Sequence, residues 1–92
     1  MAKIMIESLS LRYDELADVL YVALGVPVPA DTDEDDNGLL LRFALSDGHP
    51  CGVTVLGFRE DRWNQRVGAL SDVVATHLHI PKGEVQQVLA RV

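Results

Sequence analysis

Apolar and polar residues alternate at the start of the chain. Leu9, Leu11 and Tyr13 interleave with Ser8, Ser10 and Arg12, the period-2 pattern of a half-buried strand. Asp14-Glu15-Leu16-Ala17 interrupts it, and Asp14 is suited to start a turn by bonding the backbone that follows. Residues 18–24 are rich in Val, Leu and Tyr with apolar residues on both faces, which predicts a strand in the middle of a sheet, paired with the first as a hairpin. Gly25-Val26-Pro27-Val28-Pro29 ends it, because proline cannot donate to a central ladder. Asp31, Asp33, Glu34, Asp35 and Asp36 then predict a solvated loop that closes at Asn37-Gly38. Residues 39–45 predict a third strand with Leu39, Leu41, Phe43 and Leu45 on one face. Ser46-Asp47-Gly48-His49-Pro50 is a turn cluster, and residues 51–58 predict a fourth strand that completes a second hairpin.

From residue 70 the period becomes helical. Leu70, Val73, Val74, His77 and Leu78 fall on one stripe, with Ser71 as the expected N-cap and Asp72 in the first turn. A second helix is expected to start near Pro81 and to carry Val85, Val88, Leu89 and Val92 as its apolar face. The expected fold is α+β: a four-stranded antiparallel sheet from two β-hairpins, followed by two C-terminal helices. Residues 1–58 form the sheet with its acidic loop, 59–69 a linker, and 70–92 a two-helix tail packed on the sheet in one domain. A homodimer is expected, since the second strand reads as buried on both faces while two short helices cover only one.

Charge divides the chain. Residues 1–58 hold three basic against ten acidic residues, a net of −7, whereas 59–92 hold five against four, a net of +1. The total of −6 argues against non-specific coating of nucleic acid, which needs a basic surface. The acid run reads plainly as a solvated segment, and more sharply as a contact for a basic protein. At 48% apolar and 24% charged residues the composition is that of a globular protein. No apolar run approaches the ~18 residues of a membrane span, so no membrane partner is expected. The first seven residues lack the apolar stretch and cleavage site of a secretory signal. A single cysteine fits a reducing, cytoplasmic setting.

Residues 11–22 contain Tyr13, Asp14, Ala17, Asp18, Leu20 and Tyr21 in the pattern Y-D-x-x-A-D-x-L-Y. This segment resembles a small bacterial and archaeal family catalogued as a domain of unknown function. The likeness continues through an apolar strand, the Asp47-Gly48 turn and Gly52-Val53-Thr54-Val55-Leu56, so it spans roughly residues 9–58. The resemblance implies a small β-rich fold, no known catalytic residues and a frequent toxin-like genomic neighbour, hence an antitoxin-like role. The acid run and the tail fall outside the signature. Read physically, Asp14 turns the chain, Ala17 keeps the turn tight, and Tyr13, Leu20 and Tyr21 pack the sheet. Asp18 reads as an acceptor for turn backbone amides. A catalytic carboxylate would need a partner base or nucleophile, and none stands near it in sequence.

The tail also resembles a helix-turn-helix over residues 74–89. Val74, Leu78, Ile80, Val85 and Val88 fill its apolar positions and Ala75 its small one, while His79 stands where glycine is usual. In that reading Lys82, Gln86, Gln87 and Arg91 face outward on the second helix and meet bases or phosphates. In the plain reading both helices only cover the sheet. Trp63 among Arg59, Arg62 and Arg66 reads equally as an interface anchor or as one end of the core.

No metal or cofactor is expected. Asp33-Glu34-Asp35-Asp36-Asn37-Gly38 matches the first half of a calcium loop, but Ala44 stands where its bidentate glutamate belongs. His49, Cys51, His77 and His79 make no zinc spacing. Cys51 lacks the surroundings of a nucleophile, and no glycine-rich phosphate loop occurs. The leading expectation is a non-enzymatic binding module, an antitoxin-like partner of a basic protein. A DNA-binding autoregulator using the tail comes second, and a small enzyme without a recognisable motif third.

Overall fold

The structure, a computed structural model, describes residues 9–92. Ser8 and the expected absence of a secretory signal lie outside the described residues. Five strands form one antiparallel sheet: β1 (Leu9–Asp14), β2 (Val19–Leu24), β3 (Ala30–Glu34), β4 (Leu40–Ala44) and β5 (Pro50–Leu56). Their spatial order is β1-β2-β5-β4-β3. A 3-10 turn at Trp63–Gln65 leads into α1 (Val67–Leu78) and α2 (Lys82–Leu89).

The expected four-stranded sheet is therefore corrected to five strands. The added strand, β3, is the one expected to be a loop. Asp31, Asp33 and Glu34 lie within it, and only Asp35 and Asp36 occupy the turn that follows. Acidic residues are poor strand formers where a face must be buried. An edge strand here escapes that constraint: among the described residues β3 pairs with β4 alone, Asp31 opposite Phe43 and Asp33 opposite Leu41. Its acids stay exposed, and charge on an edge discourages further strand addition by apolar chains. The two expected hairpins are present as β1–β2 and β4–β5.

Both helices lie on one face of the sheet. Leu20, Val22, Val53 and Val55 from β2 and β5 meet Leu70, Val74, Leu78, Val85 and Leu89 from the helices in one core that includes Phe58 and Trp63. α1 begins at Val67, before the expected residue 70, so Ser71 does not cap it. Ser71 sits on the buried stripe instead, and its hydroxyl has no hydrogen-bond partner among the described residues. His77 Nε2 donates to the Arg42 carbonyl at 3.0 Å, and its ring stands edge-on to Phe43 at 5.0 Å. That pair joins α1 to β4. His79 ends α1 in the left-handed region (φ 58°) and turns the chain into α2. Leu45, expected on the apolar face of its strand, lies beyond β4 and is 60% exposed.

Candidate functional site

Tyr13, Asp14 and Asp18, around the β1–β2 turn, build a latch. Asp14 Oδ1 accepts from the amides of Leu16 and Ala17, both at 3.1 Å, and so folds the β1–β2 turn. Asp18 closes that turn at φ 57°, a conformation that Asp tolerates better than most residues. Its carboxylate reaches across the fold. Oδ1 accepts from the Arg59 amide at 2.9 Å and from the Tyr13 hydroxyl at 2.6 Å, and Oδ2 accepts from the Glu60 amide at 3.0 Å. The Tyr13 ring packs edge-on to Phe58 at 5.5 Å, with the Arg59 guanidinium 4.9 Å from its centre.

These contacts hold Asp18 as an anion. The Tyr13 hydrogen bond, then the two amides, lower its pKa below the ordinary value, and the same hydrogen bond raises that of Tyr13. Among the described residues the hydrogen bonds to the Asp18 carboxylate come from the Tyr13 hydroxyl and the Arg59 and Glu60 amides, and none from a second carboxyl group. The latch joins the β1–β2 turn to the segment after β5, 41 residues on. The amides are those of a distant turn, which no local spacing signals.

The helix-free face of the sheet carries the other cluster. Because side chains alternate along strands, the register places Arg12, Tyr21, Thr54, Leu40 and Glu34 in one row across all five strands. The next row is Ser10, Ala23, Gly52, Arg42 and Thr32. Arg42 pairs with Gly52 while Phe43 pairs with Pro50, leaving Cys51 as the extra residue of a bulge. Gly52 is required there, since a Cβ would lie 2.6 Å from the Val22 carbonyl oxygen. The Arg12 guanidinium stacks 4.3 Å above the Tyr21 ring. A groove of ≈ 390 Å³ runs between Arg12 and Arg42, with Pro27 and Val28 along it and no acid in its lining among the described residues. Burial pushes the Cys51 thiol pKa up, which disfavours the nucleophilic thiolate. Arg12 and Arg42 were not among the expected site residues, although the alternation of β1 already placed Arg12 on the polar face.

The remaining expected residues fall in separate places. Lys82, Gln86 and Gln87 are exposed on α2, but Arg91 lies past its end. Lys82 pairs with Asp72 at 3.0 Å. Asp35 Oδ1 accepts from the amides of Asn37 and Leu39 at 2.9 and 2.8 Å, shaping the β3–β4 turn. Trp63 is buried in the core, under the Arg66 guanidinium at 4.0 Å. Among the described residues no cluster of His, Cys, Asp or Glu is arranged to hold a metal ion. Likewise no helix there is long and apolar enough to cross a membrane.

Residues 10–59, more than half of the chain, match the family described as Protein of unknown function (DUF2283). The chain belongs to that family. The DUF2283 match takes in all five strands except the first residue of β1, together with the latch up to Arg59. It stops before the 3-10 turn and both helices, which complete the core of this DUF2283 protein. No curated protein and no solved structure matches the chain.

Proposed function

We propose that this DUF2283 protein is a non-enzymatic binding module that receives a basic, extended segment of another protein along β3, in the manner of an antitoxin-like partner. One observation carries the reading: Asp31, Asp33 and Glu34 of the acid run lie on an exposed edge strand. Among the described residues β3 hydrogen-bonds to β4 on one side only, so its other edge presents backbone donors and acceptors to an incoming strand. Asp31 and Asp33 project on one face of that edge and Glu34 on the other, positioned to pair with Lys or Arg of the added strand. Val28 and Leu45, 43% and 60% exposed, flank the Pro29–Leu45 backbone bond at the start of β3 and offer apolar contact.

The test is co-expression with the product of the adjacent gene. Co-purification that Asp31→Lys with Asp33→Lys abolishes, with the fold intact by circular dichroism, is the expected result. Failure to co-purify argues against the reading. Should the protein shift a duplex from its own promoter at low salt, and Gln86→Ala with Gln87→Ala remove the shift, the autoregulator reading replaces it. The exposed α2 residues after the left-handed His79 turn favour that second reading.

A further inference from the structure

We infer that the helix-free face of the sheet is an isologous interface, closed by a second copy of this chain. The observation is the self-complementarity of its rows. In a two-fold assembly a residue i that meets residue j of the other copy is matched by j meeting i, and only positions on the axis meet themselves. An axis lying in the interface along β5 exchanges β2 with β4 and β1 with β3, as the strand order requires. Across the first row Arg12 of one copy then faces Glu34 of the other, and Tyr21 faces Leu40. Across the second, Arg42 faces the small Ala23 and Ser10 faces Thr32. Basic meets acidic, aromatic meets aliphatic, and a long side chain meets a short one.

Three independent features fit this occupant. Arg12, Arg42 and Glu34 form no ion pair within the chain among the described residues; the two pairs present there are His49–Asp47 and Lys82–Asp72. Leu56 belongs to the central strand and is still 50% exposed, and on the two-fold axis it meets its own copy. The rows also carry no charge repulsion along the axis, where Thr54 and Gly52 meet themselves. Sheets pack in this aligned way at about 10 Å, close to parallel apart from their twist. The basic-segment site proposed for β3 rests on the backbone edge with Asp31 and Asp33 on the opposite face, so the two assemblies share Glu34 and Val28, and Asp31→Lys with Asp33→Lys is expected to leave the dimer unchanged.

Charge reversal tests the pairing in the full chain. Sedimentation equilibrium at tens of micromolar is expected to give a dimer. Arg12→Glu and Glu34→Arg each place like charges opposite one another and are expected to weaken it by about tenfold or more. The double variant restores the opposite-charge pair in swapped form and is expected to recover most of the dimer. Circular dichroism of each single variant separates loss of assembly from loss of fold. If both singles fail to fold, Leu56→Lys, which sets two ammonium groups on the axis, gives the same readout. A monomeric wild type overturns the proposal. So does a dimer indifferent to both single changes, or one that the double variant leaves dissociated. A monomeric wild type that takes up inorganic phosphate, with the uptake lost in Arg12→Glu, would instead assign the groove to a small anion.

Discussion

Asp18 shows how a single side chain can hold two distant segments. Its carboxylate is lowered in pKa and Tyr13 is raised through one shared hydrogen bond, so the latch is intact when Asp18 is ionised and Tyr13 is not. The linkage signs are opposite. A depressed folded pKa contributes stability above the unfolded value that is lost as pH falls through the folded one. A raised folded pKa contributes stability below the unfolded value that is lost as pH rises through the folded one. Stability from the latch is thus expected to fade below the ordinary aspartate value of 3.8 and above the ordinary tyrosine value of 10.0. Urea midpoints measured across pH check this. Asp18→Asn should reduce the acid loss and Tyr13→Phe the alkaline one. Acid curves for wild type and Asp18→Asn that run parallel would remove the latch from the account.

At the scale of elements, His79 marks the joint between the helices. Its φ of 58° ends α1, and its amide donates to the Ala75 carbonyl. A side chain at that angle carries a steric cost that glycine lacks, which is why helix ends so often use glycine there. His79→Gly is therefore expected to raise stability by about 0.5–1 kcal/mol, seen as a higher urea midpoint with an unchanged slope. A lower midpoint would mean that the imidazole makes a contact worth more than the strain. The same scale contains the main departure from expectation. A run of acids reads as a loop because like charges repel and avoid burial. Whether it extends as a strand depends on a neighbour such as β4 offering a free ladder, and that neighbour is known only once β4 and β5 have paired.

For the whole molecule, one core joins the sheet to the helices. Trp63 from the 3-10 turn, Val53 and Val55 from β5, Leu70 and Val74 from α1, and Val85 and Leu89 from α2 belong to the same buried cluster. Removing the helices would expose the apolar face of β2 and β5. Unfolding is accordingly expected to be a single cooperative transition. Trp63 fluorescence and far-UV dichroism should report coincident urea midpoints, and Leu70→Ala should lower both together, with a loss of about 2–5 kcal/mol in unfolding free energy. Separate midpoints would show that sheet and helices unfold as two units.

Much of this architecture was legible along the chain. Alternation at Leu9, Leu11 and Tyr13, the doubly apolar run of β2 and the helical stripe from Leu70 are local patterns, because strand and helix periods act over neighbouring residues. The turn made by Asp14 is local in the same way. Relations between segments far apart were decided only by tertiary structure. They include the amides of Arg59 and Glu60 that receive Asp18, the edge position that makes a strand of the acids, and the bulge at Cys51. They also include the rows that bring Arg12, Tyr21, Leu40 and Glu34 onto the face opposite the two helices. The physical reason is that periodicity specifies which face a residue takes, whereas strand order and register specify what stands beside it.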